Sequence, residues 1–221
     1  MSKLWLTGVW LIGVISIAAG QTVDSVSNTK VAVGISTNAY RGDLGQPYDK
    51  WTMAVHGSLL FNHQRRLHGG IHLSIGSLTG QANNQKVFNP DTNTPNRYFK
   101  STFFSAHYAL AYDIVQRTNF VLYVSQGLGF IRFIPHDQFN RRWQDNFSTR
   151  AANETYGNVA AMLPTHIGAT YFFPNRFGIG TKVGFYNLLT DYMDNVSQLG
   201  SDSGNDNAMQ VQFLFFIPAT F

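Results

Sequence analysis

The feature that most constrains the fold is a series of eight segments with strand periodicity. In each, apolar side chains alternate with small or polar ones over a length suited to crossing a bilayer as a tilted strand. The segments cover residues 29–40, 50–62, 67–77, 101–113, 119–130, 162–173, 177–188 and the stretch from 209 to the end of the chain. After residue 21, no apolar run approaches the roughly 20 residues of a spanning helix.

The connections between these segments alternate between short and long. Short turns join segments two and three, four and five, and six and seven, whereas the long connections are residues 41–49, 78–100, 131–161 and 189–207. Outer-membrane barrels show this alternation. A soluble eight-stranded barrel buries its apolar residues inside, whereas here the face of small and polar residues is the narrow one. The sequence therefore predicts an all-β, eight-stranded antiparallel up-and-down transmembrane β-barrel with short periplasmic turns and long extracellular loops.

Composition supports this prediction and excludes several other classes of protein. The chain of 221 residues is 14% aromatic and 13% charged, against a usual charged fraction of about 25%. Its mean hydropathy is −0.12, because Asn, Gln, Ser, Thr and Gly dilute the apolar residues. There is no cysteine, which excludes disulfides, thiolate metal sites and an acylated cysteine anchor. The net charge of +4 is spread along the chain and indicates no nucleic-acid partner.

Residues 1–20 predict a cleaved secretory signal peptide, which leaves residues 21–221 as the barrel. A basic start at Lys3 precedes an apolar run, and small residues at 18–20 offer a cleavage site. A retained anchor is the alternative, but the apolar run is short for one. Both termini lie at the end of the barrel that carries the short turns. We therefore expect an integral protein of the bacterial outer membrane with both termini in the periplasm.

The end of the chain is a strand with apolar residues on its outer face. Phe213, Phe215 and Ile217 alternate there and could be exposed only if their solvent is hydrocarbon. This strand must pair with the first, because an open edge in lipid leaves backbone groups without partners. Phe221 resembles the terminal aromatic read by the barrel assembly machinery, with Pro218 as the point where a regular ladder is expected to end.

Aromatic residues cluster near both ends of the predicted strands, as expected for girdles at two membrane interfaces. Those near the short turns are Phe61, Tyr112, Phe120, Tyr171, Phe173 and Phe177, and those near the long loops are Tyr40, Trp51, Tyr98, Phe130 and Tyr186. Chance is the alternative, since strands are rich in aromatic residues.

Three stretches resemble the recurring motifs of OmpA-type outer-membrane barrels, a family that includes a small barrel subunit of type IX secretion machinery. They are YRGDLG at residues 40–45, GLG at 127–129 and LTDYMDNV at 189–196. The resemblance implies a small membrane barrel and a role in the cell envelope. The family often adds a C-terminal peptidoglycan-binding domain, and that activity is not expected of a chain that ends at Phe221.

The inward face of the predicted strands carries histidines and one lysine. The alternation places His56, His68, His72, His107, His166 and Lys182 in the lumen. His68 and His72 are about 13 Å apart along one strand, too far to share a metal. We expect a hydrogen-bonded network that fills the lumen, with a metal or proton site between strands as the alternative. Lys182 needs an acceptor, such as Asp113 or a carbonyl.

Two of the long connections carry candidate binding residues. The last one contains Asp191, Asp194, Asp202 and Asp206, whose oxygens could bind Ca²⁺, although the pattern is also ordinary turn chemistry. The third mixes arginines with aromatics and predicts a site for a protein partner or lipopolysaccharide phosphates, with a solvated loop as the equal alternative. The candidate partner-binding residues are Phe139, Arg141, Arg142, Trp143 and Phe147.

Three functions follow from these features. The first is a non-enzymatic barrel that serves as a structural or accessory subunit of an envelope complex. We expect it to have no cofactor, metal or catalytic residues. Its expected partners are outer-membrane lipid, lipopolysaccharide and other envelope proteins. The second is a lipid-modifying enzyme of the outer membrane, for which no motif joins a serine, a histidine and an acid. The third is a conduction pore, which eight strands disfavour. The sequence favours the first.

Overall fold

Eight antiparallel strands form a closed barrel in the computed structural model, which describes residues 29–63, 65–81, 96–147, 150–200 and 204–218. Each strand pairs with the next along the chain, and β8 pairs back with β1 from Lys30↔Pro218 to Arg41↔Asn207. The strands are β1 (Lys30–Arg41), β2 (Trp51–Phe61), β3 (Leu67–Gln81), β4 (Tyr98–Gln116), β5 (Phe120–His136), β6 (Val159–Phe172), β7 (Gly178–Leu188) and β8 (Asn207–Pro218). The predicted fold is confirmed, and its eight strands are those expected from the alternation. The predicted signal peptide and Phe221 lie outside the described residues.

The outer wall of the barrel is apolar over a band of bilayer thickness. On β4, the outward residues from Phe104 to Ile114 are exposed and almost all apolar. Ten residues rise about 34 Å along a strand, which at a tilt of about 40° spans about 26 Å. That matches the apolar band of roughly 25 Å found on membrane barrels. Among the described residues, no helix is long and apolar enough to cross a bilayer.

The polarity of the two faces inverts at the long-loop end of this band. Beyond Ile75 on β3 and Phe104 on β4, the outward residues become polar, as Thr79 and Lys100 illustrate. The inward residues become large and apolar at the same point, and a buried cluster fills the interior there. Its members include Leu78, Phe99, Phe103, Ile131, Phe133, Met162 and Leu188. Above the band, the barrel therefore has an apolar interior and a polar surface, as a soluble protein does. The reason is that its surroundings have changed from hydrocarbon to water.

This inversion corrects two sequence expectations. Three strands extend further toward the long loops than the alternation indicated. β3 ends at Gln81, β4 begins at Tyr98 and β5 ends at His136. Tyr40 and Tyr186 do not belong to an outer girdle, because both side chains point inward and are buried.

The pairing of β5 with β6 is interrupted in the middle of the wall. It passes from Gln126↔Thr165 directly to Gly129↔Met162, and Pro164, which has no N–H to donate, lies between. Two side chains on the outer face supply donors instead. Gln126 Nε2 donates to the Pro164 carbonyl at 3.2 Å, and Asn187 Nδ2 donates to the Leu163 carbonyl at 2.8 Å. Thr165 Oγ1 joins them by donating to Gln126 Oε1 at 2.7 Å.

Replacing an outward residue of the apolar band by arginine tests the lipid-facing surface. Leu73→Arg should lower the free energy of unfolding in lipid by about 2–4 kcal/mol, because a charge near mid-membrane loses its hydration. Phe139→Arg is the matched control, because that side chain is exposed on a loop outside the strands and should cost little. Denaturant titrations of barrels folded into vesicles measure both. Equal stability of Leu73→Arg and the parent would contradict a hydrocarbon-facing wall.

Candidate functional site

The interior of the barrel at mid-height holds the histidines predicted for the lumen. His56, His107 and His166 are buried, and the His72 and His107 rings stack with centroids 4.8 Å apart. His56 Nε2 lies 2.7 Å from Ser36 Oγ, and His72 Nδ1 lies 2.8 Å from Ser58 Oγ. Among the described residues, neither ring nitrogen of His107 has a hydrogen-bond partner, and no three histidine or acidic side chains are grouped so that they could hold a metal ion.

Lys182 is buried in the same region and faces an interior cavity. The cavity has a volume of about 50 Å³ and lies between the histidines and the short turns, with room for several water molecules. We expected Asp113 as a partner of Lys182, but its Oδ1 atom instead lies 3.1 Å from His68 Nε2. Within the described part of the chain, Lys182 makes no ion pair.

Two buried carboxylic acids fasten the last long loop to the mouth of the barrel. Asp194 and Asp206 are both inaccessible to solvent, and the Tyr40 hydroxyl lies 2.9 Å from Asp194 Oδ2 and 2.5 Å from Asp206 Oδ1. Their other oxygens accept backbone N–H groups of the loop, from Val196 and Met193 respectively. The motif YRGDLG in the first long connection thus meets LTDYMDNV in the last, and Tyr40 joins them.

The hydrogen-bond inventory of this pair requires an extra proton. A tyrosine hydroxyl carries one hydrogen and can donate to one carboxylate, so the second short contact needs a hydrogen from the acid itself. Burial raises the pKa of both Asp194 and Asp206 well above the ordinary value of 3.8. A neighbouring acid raises each pKa further, Asp43 that of Asp194 and Asp194 that of Asp206. The two Tyr40 contacts and the direction of both pKa shifts together indicate that the pair of carboxyl groups holds one proton. Asp202, the fourth acid considered for calcium, lies outside the described residues.

The third long loop, residues 137–158, is built on Asp137 and Trp143. Asp137 Oδ1 accepts the backbone N–H groups of Phe139 and Arg141, each at 2.8 Å, and Oδ2 accepts Arg141 Nε at 2.7 Å. Trp143 packs against the buried cluster at the barrel mouth and donates its Nε1–H to the Tyr98 carbonyl at 3.0 Å. These contacts give residues 137–147 of the loop a defined shape.

This architecture divides the five predicted partner-binding residues into two groups. Trp143 is half-buried and Arg141 is paired with Asp137, so both serve to hold the loop. Phe139 and Phe147 are 69% and 70% exposed, and Arg142 is exposed. An arginine guanidinium covers one face of each phenylalanine, Arg141 over Phe139 at 5.2 Å and Arg150 over Phe147 at 4.7 Å.

Comparison with solved structures shows the fold this chain shares. The structure of Neisserial surface protein A has a TM-score of 0.55 and 9% sequence identity, over 88% of this chain and 99% of that one. Ail of Yersinia pestis, solved with the heparin analogue sucrose octasulfate, has a TM-score of 0.47 and 10% identity, over 86% of this chain and 97% of that one. The N-terminal β-barrel domain of OprF from Pseudomonas aeruginosa has a TM-score of 0.42 and 12% identity, over 86% and 98%.

The likeness to Neisserial surface protein A establishes a common fold and, at 9% identity, nothing about function. No family model matches the sequence, and no curated protein matches it.

The shared proton at Tyr40 makes the attachment of the last loop dependent on pH. Because the pKa of each acid is raised in the folded state, the stability from the protonated pair is complete below pH 3.8 and is lost as pH rises through the raised pKa. Hydrogen exchange at the Val196 amide, corrected for its intrinsic rate, should therefore accelerate toward alkaline pH. Asp194→Asn, whose amide can donate to Tyr40 without a titrating proton, should remove this dependence. The same acceleration in Asp194→Asn as in the parent would exclude a shared proton.

Proposed function

We propose that this chain is a non-enzymatic integral barrel of the bacterial outer membrane that recognises a protein partner through its third long loop. The observation that carries the proposal is the pair of exposed phenylalanines, Phe139 and Phe147, on a loop that is already ordered. Phenylalanine and arginine are among the residue types enriched in protein interfaces. A loop with a defined shape loses little conformational entropy when a partner binds.

The construction of the loop supports recognition rather than packing. Arg150 is buried, donates to the Gln144 carbonyl at 2.6 Å and lies over the Tyr156 ring. Tyr156 in turn stacks on Tyr192 of the last long loop, with centroids 4.5 Å apart. These contacts hold the base of the loop, while Phe139 and Phe147 stay largely exposed, each with one ring face against an arginine. An envelope complex is the partner we propose, and the resemblance of YRGDLG and LTDYMDNV to barrels of secretion machinery favours a complex related to secretion.

Placement in the outer membrane follows from the apolar band and from the lengths of the connections. Short turns lie at the end where β1 begins and β8 ends, and long connections lie at the other. Membrane barrels of bacteria place the short turns in the periplasm. We therefore propose that both termini are periplasmic and that residues 137–158 face the exterior.

The enzyme alternative has little geometric support. His56 and His72 each contact a serine, but in the described residues neither is hydrogen-bonded to a carboxylate. His68 contacts the carboxylate of Asp113 and, among the described residues, has no hydrogen bond to a serine. A pore is also unsupported, because the apolar cluster that includes Phe99 and Phe133 fills the lumen at the long-loop end.

Removing the two exposed phenylalanines tests the recognition surface. Phe139→Ser with Phe147→Ser should lower partner cross-linking in native outer membranes at least about tenfold, since interface anchors contribute 2 kcal/mol or more each. Gln138→Ser with Asp145→Ser is the matched control, because it alters the same loop at two exposed polar positions and should leave cross-linking unchanged. Full retention of every cross-linked partner by the phenylalanine variant would refute the recognition role.

The orientation is tested by inserting a protease site at either end of the barrel. A site placed after Asn146 should be cut on intact cells, because that loop is proposed to be external. A site placed after Asn175, in the short turn between β6 and β7, should be cut only after the outer membrane is permeabilised. The opposite pattern would reverse the proposed orientation.

A further inference from the structure

A row of basic side chains borders the apolar band on one side of the barrel. Lys100 pairs with His136 in the β4–β5 ladder, and His136 forms a bridge with Arg142. Residues directly opposite one another in adjacent strands point to the same face, so these three lie side by side on the outer surface. Arg132 is on the same face of β5, four residues closer to the band, and is exposed.

The height of Arg132 coincides with the edge of the hydrocarbon. It is aligned with Phe104 of β4 and Val159 of β6, which are the last exposed apolar residues on their strands toward the long loops. Arg132 therefore lies where the head groups of the lipids begin, and the row of Lys100, His136 and Arg142 lies just above.

These basic groups have no acidic partner among the residues that the structure describes. The ion pairs found in the described ranges are His68–Asp113 and Arg141–Asp137, and neither involves Lys100, Arg132 or Arg142. Exposed cations at a head-group boundary that have no internal counter-charge are suited to bind phosphate, which arginine can contact with two hydrogen bonds.

The outer wall has a groove further toward the short turns, separated from Arg132 along β5 by the exposed side chain of Phe130. It has a volume of about 580 Å³ and lies where Pro164 interrupts the pairing of β5 with β6. Its walls are apolar, from Tyr108, Leu110, Leu128 and Leu163, and its floor is the chain of Gln126, Thr165 and Asn187. Because those polar groups bond to one another and to the carbonyls of β6, the groove can accept an apolar occupant.

We propose that this surface binds a phosphorylated, multiply acylated lipid, with its phosphates on Arg132 and the row of Lys100 and Arg142 and one acyl chain in the groove. The strand distance from Arg132 to Gln126, six residues, is about 20 Å, which is comparable to an extended long fatty acyl chain. The proposal rests on the placement of the long loops outside the outer membrane, since the lipid of that leaflet with several acyl chains and phosphates is the lipid A part of lipopolysaccharide.

Binding to purified, delipidated barrel in detergent micelles tests this site without reference to the cell. The probe is lipid A with two phosphates, measured by native mass spectrometry over a range of lipid concentrations. Arg132→Gln with Lys100→Gln should weaken binding at least about tenfold, because charge-assisted hydrogen bonds to phosphate are lost. Arg132→Lys keeps the charge but loses the two-point contact with phosphate, so it should weaken binding less than the double variant does. Arg117→Gln, an exposed arginine in the short turn at the opposite end, should bind as the parent does.

The groove is tested separately by Leu163→Trp, which fills it. Leu163→Trp should bind lipid A more weakly than the parent does. Its affinity for inorganic phosphate should equal that of the parent. Unchanged lipid affinity in the Arg132 and Lys100 double variant, or an equal loss in Arg117→Gln, would overturn the proposal. The phenylalanine variant of the third loop should bind lipid A normally, so a failure of partner recognition and a failure of lipid binding are distinguishable.

Discussion

The rest of the structure depends on closure of the backbone ladder between β1 and β8. In hydrocarbon no water can bond to a free N–H or C=O, so each one left unpaired costs several kcal/mol. Twelve consecutive pairs, from Lys30↔Pro218 to Arg41↔Asn207, remove the edge that an open sheet would expose. Where Pro164 interrupts the ladder, the side-chain amides of Gln126 and Asn187 supply the missing donors, which places polar groups on a surface that is otherwise mostly apolar.

The same constraint explains which parts of the fold could be predicted from the sequence. Within the apolar band, the alternation identified all eight strands, because one face meets lipid and the other meets a narrow lumen. Beyond the band, Leu78 and Phe133 point inward while Thr79 and Arg132 point outward. Apolar residues point inward there, whereas within the band they point outward. A strand predicted from the alternation within the band therefore ends at Ser77 or at Phe130. The extensions of β3, β4 and β5 were missed for that reason.

The candidate sites were predictable as sets of residues but not as contacts. Alternation placed the histidines and Lys182 inside, and the partner of His68 proved to be Asp113. The proton shared by Asp194 and Asp206 depends on Tyr40, which lies far away in the sequence. We had expected Tyr40 in an aromatic girdle, because it lies near the end of a strand. Nor could the sequence separate Phe139 from Trp143, because exposure of one and burial of the other depend on how the loop folds back onto the barrel mouth. The groove at Pro164 had a signal, a proline within a strand, that could have indicated it.

The central claim is that the environment of the outer wall changes from hydrocarbon to water between Phe130 and Arg132. Because the chain has no cysteine, single cysteines can carry a spin label at successive outward positions of β5 in reconstituted vesicles. Collisions with dissolved oxygen should dominate at Val124, Leu128 and Phe130, and collisions with a water-soluble nickel complex should dominate at Arg132 and Ile134. A nickel complex that reaches Val124 and Leu128 as readily as Ile134 would show that this wall faces water and would contradict the account.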